Sequence, residues 1–257
     1  MISVIILGAG NVGTHLVKAV RASKNLNLVQ WYCRGPKAIK FPIKGIDLCH
    51  DLEQLKKADV YIIAVSDKAV SEVSKQLPFE NRLVVHTSGS VAMKELDMKL
   101  RRGVFYPLQT FSATSELSFS EVPFCIETMD KNDSNLLLKT LAIEMGSPSY
   151  MINTEQRQAL HLSAVFINNF TNQLYRIAHE LSDSKNINFE VLKPLILETA
   201  HKIQHTSPYN AQTGPAKRND QVTINHHLRT LESHPEYQSI YKQLTQSIKT
   251  THGFKKL

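Results

Sequence analysis

The stretch Gly8-Ala9-Gly10-Asn11-Val12-Gly13 places three glycines at the spacing GxGxxG. It follows the short apolar run Ser3–Leu7, which predicts a strand, and it opens the segment Val12–Ser23, whose apolar residues recur at helical spacing. A GxGxxG motif between a strand and a helix is far more specific than the same spacing alone. The first 23 residues are therefore predicted to form the strand, loop and helix that begin an α/β domain.

Each glycine of this loop has its own physical task. Gly8 permits the tight turn, Gly10 lets a pyrophosphate approach the backbone, and Gly13 lets the helix pack closely on the sheet. Free N–H groups and the positive end of the helix dipole attract the phosphate. We therefore predict that Gly8, Gly10, Asn11, Val12 and Gly13 hold a dinucleotide. A glycine-rich turn without a ligand is the alternative.

Strand-like and helical patterns alternate through the first 152 residues. The run Val60–Val65 is apolar without alternation, as is typical of a strand covered on both faces. The alternation predicts a mostly parallel sheet with right-handed crossovers. The predicted strands are Ser3–Leu7, Leu28–Cys33, Gly45–Leu48, Val60–Val65, Leu83–His86, Val104–Tyr106, Phe124–Glu127 and Ser149–Ile152. The predicted helices are Val12–Ser23, Leu52–Lys56, Ala69–Gln76, Met93–Arg101 and Ser134–Glu144.

Only helical patterns follow Ile152. We predict one long helix, about Thr154–Ser182, and a loop at Thr206–Asn219 that has no regular structure. Further helices are expected near Phe189–Gln204, Asp220–Glu232 and Tyr237–Lys249. The chain is therefore divided into an α/β dinucleotide-binding domain, residues 1–152, and an all-helical domain, residues 153–257.

The end of the second strand favours one nicotinamide dinucleotide over the other. An acidic residue there usually binds the ribose 2′-hydroxyl of NAD, but this sequence has Arg34, Gly35, Pro36 and Lys37. Arg34 and Lys37 can pair with a 2′-phosphate, which favours NADP(H). The alternative is a solvated basic turn.

Residues at the carboxyl ends of other strands are candidates for the same cleft, because ligands of open parallel sheets bind there. Val65 and Ser66 are expected to border the cofactor, whereas Asp67 is equally suited to cap the next helix. Ser88 can hydrogen-bond a substrate near the nicotinamide, or cap the helix predicted at Met93–Arg101. Gln109 follows the sixth strand and is a further candidate for the cleft.

Polar residues interrupt the apolar stretch Leu160–Phe170 of the long predicted helix. His161 and Asn168 are seven residues apart and share a helical face, which Asn172 extends by one turn. These side chains either satisfy each other or line a polar cleft, because burial without partners is costly. A second pair, His201 and His205, is better explained as solvent-facing than as a metal site, since no third ligand is evident.

Composition excludes several classes of protein. The net charge of +7 among 257 residues is not concentrated in a basic run, so a nucleic-acid partner is not expected, and a small anionic ligand fits better. No apolar run approaches the roughly 20 residues that a bilayer needs, and no signal peptide is evident, so we expect no membrane association and a cytoplasmic location. Three cysteines without a CxxC motif indicate reduced thiols and no metal site.

The run Gln212-Thr213-Gly214-Pro215-Ala216-Lys217-Arg218-Asn219-Asp220 is the most distinctive part of the second half. With Ala159-Leu160-His161, Asn169 and His86-Thr87-Ser88-Gly89, it resembles bacterial Rossmann-like proteins that carry a C-terminal domain of unknown function. These are described as NADP oxidoreductases, in the wider superfamily of pyrroline carboxylate reductase, ketopantoate reductase and the beta-hydroxyacid dehydrogenases. The resemblance implies a Rossmann domain followed by a helical domain that often dimerises.

The sequence departs from these relatives at two positions. In the beta-hydroxyacid and ketopantoate enzymes a lysine on the first long helix of the second domain is the acid/base, whereas His161 and Asn169 stand in a similar arrangement here. The family's His-Pro-Leu-Gln run begins with Tyr106. Arg218 lies in a turn shaped by Gly214 and Pro215, where it can clamp a substrate carboxylate or pair with an acidic residue.

We therefore expect an NADP(H)-dependent oxidoreductase that moves a hydride to or from a C=O or C=N carbon of a small anionic metabolite. His161 is the expected general acid/base, since histidine titrates near neutral pH. Asn169 and Ser88 would orient the substrate and Arg218 would anchor it, in a homodimer formed through the helical domain. A non-catalytic NADP(H)-binding regulator or sensor is the alternative.

Overall fold

The computed structural model describes residues 1–35, 45–112, 117–130 and 133–253. Its eight strands form one sheet with the order β3-β2-β1-β4-β5-β6-β7-β8, and every neighbouring pair is parallel except β6 and β7. The first six strands follow the 3-2-1-4-5-6 order of a Rossmann fold. The prediction of an α/β, mostly parallel sheet is confirmed. The strands are β1 (Ile2–Leu7), β2 (Leu26–Tyr32), β3 (Leu48–Cys49), β4 (Val60–Ile63), β5 (Leu83–His86), β6 (Arg101–Pro107), β7 (Phe124–Thr128) and β8 (Ser149–Met151).

In the part of the chain that the structure describes, three α-helices lie between strands and the rest follow β8. The helices are α1 (Asn11–Ala22), α2 (Asp67–Lys75), α3 (Asp133–Glu144), α4 (Thr154–Ala164), α5 (Thr171–Asp183), α6 (Lys193–His205), α7 (Pro208–Ala211), α8 (Gln221–Thr230) and α9 (Pro235–Thr251). A π-helical segment, Val165–Phe170, joins α4 to α5. The long predicted helix is therefore present but is wound more widely in its middle.

The central strands of the sheet are buried on both faces. Along β1, Val4 and Ile6 belong to one apolar cluster, whereas Ile5 and Leu7 belong to another, and all four are fully buried. Successive side chains of a strand point to opposite faces, so one strand contributes to both layers of the core. Burying each such aliphatic side chain contributes about 1.5–3 kcal/mol, which fixes the loops at the carboxyl edge of the sheet in place.

The chain divides into two compact units, Met1–Phe170 and Thr171–Leu257. This division lies within the predicted helical domain, because α4 and the π-helical segment belong to the same compact unit as the sheet. The functional boundary at residue 152 stays a prediction. In the described part of the second unit, the buried apolar residues are only Ala216, Ile224 and Leu231.

The prediction of a helix at Met93–Arg101 is wrong. Only Met93–Glu95 forms a single 3₁₀ turn, and β6 already begins at Arg101. The backbone N–H of Asp97 donates to Ser74 Oγ, and that of Lys99 donates to Asp97 Oδ1. Side-chain acceptors thus replace the carbonyls that a helix would supply.

Three smaller expectations also need correction. Leu52–Lys56 contains only a 3₁₀ turn at Leu52–Gln54, and the short third strand lies at Leu48–Cys49. The loop Thr206–Asn219 is not structureless, since it contains α7 and a series of turns.

Among the described helices, none combines the length and apolar character needed to cross a membrane.

Candidate functional site

The glycine-rich loop has the tight packing that its sequence predicts. Gly8 has φ +124°, and a Cβ there would lie 2.2 Å from the Ala64 carbonyl oxygen. A Cβ on Gly13 would lie 2.2 Å from the Gly8 carbonyl oxygen. Trp31 Nε1 donates to that same Gly8 oxygen at 2.8 Å. Gly8 and Gly13 are therefore required by the fold itself.

Gly10 differs from its two neighbours in the motif. A Cβ on Gly10 would meet no atom within 4 Å, so the space above this residue is open. Gly10 is the N-cap of α1, no side chain caps this end, and the first turn holds no acidic residue. The N–H groups of the first turn therefore face a cradle of the kind that binds a pyrophosphate.

The segment after β6 lies across the start of α1. Asn11 Nδ2 donates to the Phe111 carbonyl oxygen at 2.8 Å, and His15 Nε2 lies 2.9 Å from the Ser112 carbonyl oxygen. These contacts close one side of the cradle. Asn11 thus has a definite structural task besides its position in the motif.

A cleft of about 810 Å³ runs from the glycine-rich loop to the end of α4 and the π-helical segment. Its volume lies within the range of small-molecule and cofactor sites, roughly 300–1,000 Å³. All of its lining residues belong to the first compact unit. The predicted site residues that line it are Gly8, Gly10, Asn11, Val12, Arg34, Val65, Ser66, Ser88, His161 and Asn169.

The remaining predicted site residues are Gly13, Lys37 and Arg218. Gly13 acts through packing, as described above. Lys37 lies outside the described residues. Arg218 belongs to the second compact unit, where it is exposed in the turn after Gly214. Within that unit it has no ion pair with a described carboxylate, and Asp220 caps α8 by accepting from the Thr223 N–H at 3.0 Å.

The cofactor end of the cleft carries one described cation. Arg34 is exposed, follows β2 and lines the cleft. After β4, Ser66 is the N-cap residue of α2 and Asp67 is its first helical residue, so the expectation that Asp67 caps this helix is wrong. Asp67 also lines the cleft.

The loop after β5 is held by its own serine. Ser88 is buried, and its Oγ accepts from the backbone N–H groups of Ser90 and Val91 at 3.1 and 3.0 Å. The hydroxyl oxygen therefore caps a turn, and the hydroxyl hydrogen can still be donated to a ligand. Ser88 caps this turn and not a helix at Met93–Arg101, which the structure does not contain.

Gly89 allows a close approach of two aromatic rings. A Cβ at this position would lie 2.5 Å from His161 Nδ1 and 2.9 Å from Tyr106 Cζ. No side chain fits there without displacing one of the two rings. The glycine after Ser88 therefore sets how near the histidine of α4 comes to the sheet edge.

Tyr106 and His161 form a hydrogen-bonded pair at the edge of the cleft. The Tyr106 Oη lies 3.1 Å from His161 Nδ1, and the two rings meet edge to face with centroids 6.0 Å apart. Burial raises the pKa of Tyr106 to about 12, so its hydroxyl keeps its proton through the neutral range. The residue that replaces the family's histidine thus contacts the candidate acid/base directly.

Arg157 is a site residue that sequence reasoning missed. Its side chain is fully buried, and its Nη1 donates to the carbonyl oxygens of Ser88 and Gly89, each at 3.0 Å. Its Nη2 forms an ion pair with Glu127 Oε2 at 3.2 Å, and Thr154 Oγ1 donates to the same carboxylate. Arg157 therefore holds the loop that carries Ser88 and Gly89.

His86 lies beneath the same loop. It is fully buried, and its Nδ1 accepts from the Ser88 N–H at 3.2 Å, which leaves the imidazole proton on Nε2. Burial, followed by the nearby positive charge of Arg157, lowers the pKa of His86 to about 3. His86 is consequently a neutral structural group.

The π-helical segment presents two neighbouring amides to the cleft. Asn168 and Asn169 both line it, together with His161 about two turns earlier. Single π turns within helices occur frequently at functional sites, because they change which side chains share a face. The sequence pattern identified these residues but carries no signal for the π geometry.

A second cavity of about 350 Å³, which we call the side pocket, adjoins the cleft. The two share the lining residues Tyr106, Gln109, Thr110, His161, Asn168 and Asn169. The rest of the side pocket is lined by Leu108, Leu160, Ser163, Ala164, Val165 and Ile167. Gln109 therefore reaches both cavities.

A protein from Bacteroides fragilis, named as a "putative NADP oxidoreductase", is 37% identical in sequence to this chain. The match covers 97% of this chain and 98% of that one, with a TM-score of 0.86. A family described as a domain of unknown function, DUF2520, matches residues 122–248. The chain belongs to this family.

More distant solved structures share the fold. Protein TM1727 from Thermotoga maritima is 18% identical, with a TM-score of 0.78 over 97% of this chain and 99% of that one. The 1-pyrroline-5-carboxylate reductase of Streptococcus pyogenes is 11% identical, with a TM-score of 0.64 over 97% and 98%. No curated protein matches the sequence. These distant structures therefore show that the chain shares their fold.

Proposed function

We propose that this protein is an NADP(H)-dependent oxidoreductase acting on a C=O or C=N carbon of a small anionic metabolite. The observation that carries the proposal is the single cleft that joins the open Gly10 cradle to the Tyr106–His161 pair. A bound nicotinamide dinucleotide supplies a hydride there. The name of the Bacteroides fragilis relative supports the same cofactor.

The residues at the cofactor end fit this group. Gly10 leaves room for the pyrophosphate, and the first turn of α1 offers uncapped N–H groups. Arg34 is suited to pair with a 2′-phosphate, and Lys37 stays a predicted second partner. NADP(H) is therefore the favoured cofactor.

At the other end, His161 is the proposed general acid/base. Its contact with Tyr106 leaves the second imidazole nitrogen as the one that can exchange a proton with the substrate. Tyr106 is a positioning residue, because a phenol whose pKa is raised to about 12 holds its proton at neutral pH. In the reducing direction, His161 in its imidazolium form would give its Nε2 proton to the substrate O or N, and its Nδ1–H would remain a donor to Tyr106 Oη.

Ser88 and Asn169 are proposed to orient the substrate, since both line the cleft near His161. Arg218 is proposed to anchor the substrate carboxylate, on the basis of its turn and its exposure. Removing His161 as proton donor is expected to cost roughly 100-fold or more in rate.

We also propose that the protein is a homodimer formed through its helical region. The second unit buries few apolar residues and exposes Ile187, Val191, Leu195, Leu197 and Ile203. The end of α4 and the π-helical segment expose Leu162, Phe166, Ile167 and Phe170. Apolar surface on this scale indicates an interface. A monomer by light scattering at micromolar concentration would overturn this assignment.

The proposed activity is tested by a thermal-shift screen of anionic carbonyl and imine metabolites with NADPH present. A ligand present at a concentration 100 times its dissociation constant stabilises the protein by about 2.7 kcal/mol. Hits are then assayed for NADPH oxidation with wild type and His161→Gln. We expect the wild type to oxidise NADPH with at least one hit and His161→Gln to lose this activity. NADPH binding without turnover of any hit would favour the non-catalytic regulator.

A further inference from the structure

The side pocket differs in chemistry from the cleft that it adjoins. Among the described residues that line it, there is no Lys, Arg, Asp or Glu. Apart from the Ser163 hydroxyl, its polar groups are the amides, hydroxyls and imidazole at the boundary with the cleft, and the remaining wall is mainly aliphatic. A charged group placed in such a pocket would lose hydration without gaining a partner. The pocket is therefore suited to an uncharged hydrocarbon group.

The floor of the side pocket is part of the packed core. Leu108 and Leu160 pack against a buried cluster formed by Val104, Tyr106 and Cys125. Both leucines are partly buried, so each presents a fixed apolar surface to the cavity. A preformed apolar wall of this kind binds hydrocarbon without first having to order itself.

The position of the pocket relates it to the reacting centre. Tyr106 and His161, the proposed positioning residue and acid/base, belong to the boundary that the two cavities share. A carbonyl or imine held by His161 would therefore have one substituent directed toward the nicotinamide cleft and another toward the side pocket.

We propose that the side pocket is the subsite for an aliphatic substituent of the substrate, adjacent to its C=O or C=N carbon. The substrate class is then a carbonyl or imine compound that carries a hydrocarbon chain of several carbons. This inference rests on the proposed function for the identity of the reacting group. The hydrocarbon preference itself depends only on the pocket.

The test uses methyl ketones of increasing length, from acetone to 2-octanone, as probes. Their dissociation constants are measured by ligand-observed NMR with the full chain, both with and without NADP⁺. The expected result is about fourfold tighter binding for each added methylene until the pocket is filled. Binding that does not depend on chain length, or no binding, would overturn the proposal.

Two variants on α4 locate the effect. Ala164 lines the side pocket, whereas Ala159 is exposed and lines neither cavity. Ala164→Phe should abolish the dependence on chain length, and Ala159→Phe should keep it. If Ala164→Phe retains the dependence, the hydrocarbon lies elsewhere and the assignment is wrong.

A third measurement does not depend on a folded variant. Methyl NMR signals of Leu108, Leu160 and Val165 in the wild type should shift on adding 2-heptanone, and methyl signals distant from the side pocket should not. Shifts confined to other methyl groups would contradict the proposal. NADPH affinity is measured in parallel. If the wild type does not bind NADPH, the proposed function is refuted. The ketone series measured without NADP⁺ would still show whether the side pocket binds hydrocarbon.

Discussion

The Tyr106 hydroxyl lies 3.1 Å from Nδ1 of His161, and Gly89 fits against both rings with no room for a side chain. The Tyr106 oxygen can accept from a protonated Nδ1 of His161, and this arrangement leaves Nε2 as the nitrogen that exchanges a proton with the substrate. Two residues on different elements thus define the place of the proposed acid/base.

The first prediction concerns Tyr106→Phe, which removes this hydrogen bond and keeps the ring. A hydrogen bond contributes about 0.5–1.5 kcal/mol net, so kcat should fall by up to about tenfold, with little change in NADPH affinity. The ¹⁵N chemical shifts of His161, which report its tautomer, should change when its Nδ1 loses this partner. Unchanged shifts in the variant would show that Tyr106 does not position His161.

The second prediction contrasts two glycines. Gly89→Ala should displace His161 or Tyr106, reduce turnover and leave NADPH binding intact, because the added Cβ would lie 2.5 Å from His161 Nδ1. Gly10→Ala should keep the fold and the His161 signals but weaken NADPH binding, because its Cβ would occupy the open cradle. Titration calorimetry and NMR of the two variants measure both effects. If both variants lost NADPH binding, or if both lost only turnover, the assignment of Gly10 to the cofactor and of Gly89 to the reacting centre would be wrong.

The third prediction compares a buried with an exposed arginine. Arg157→Met leaves the Glu127 carboxylate without its buried partner and frees the Ser88–Gly89 loop, so it should cost about 3–5 kcal/mol in the free energy of unfolding. Arg176→Met removes the exposed i,i+4 pair with Glu180 on α5 and should be nearly neutral. Urea denaturation measures both. Equal losses would argue against a special role for Arg157.

The fourth prediction concerns pH and His86. Its folded-state pKa of about 3 lies below the ordinary 6.5, so the unfolded state binds more protons between these values. Stability contributed by neutral His86 is present above about pH 6.5 and is lost as the pH falls toward 3, by up to about 1.4 kcal/mol per pH unit.

His86→Asn tests this dependence, since the amide oxygen can still accept from the Ser88 N–H. Between pH 6 and pH 4, the free energy of unfolding of the variant should fall less steeply than that of the wild type. The difference in slope should be up to about 1.4 kcal/mol per pH unit. Parallel curves for the two proteins would show that His86 is not the group responsible.

The sequence predicted those parts of the molecule that depend on local pattern. The Gly8–Gly13 loop and the buried run Val60–Val65 carry their structural signal within a few residues, and both were predicted correctly in kind. The error at Met93–Arg101 arose because Ser74, on a different element, supplies an acceptor that no local pattern shows.

Arg157 escaped prediction for a similar physical reason. A charged residue on a helix usually faces solvent, and only the approach of Glu127 and the Ser88–Gly89 carbonyls makes its burial favourable. The pairing of Tyr106 with His161 likewise joins positions 55 residues apart. Such long-range contacts are set by the assembled sheet edge, and spacing along the chain does not encode them.

The central claim is that the cleft binds NADP(H) through the Gly10 cradle and Arg34. Titration calorimetry of NADPH and NADH against wild type and Arg34→Gln tests it most directly. The account predicts that wild type binds NADPH at least tenfold more tightly than NADH, and that Arg34→Gln loses most of this preference while its NADH affinity stays the same. Equal affinities in the wild type would contradict the phosphate contact, and failure to bind either dinucleotide would contradict the account as a whole.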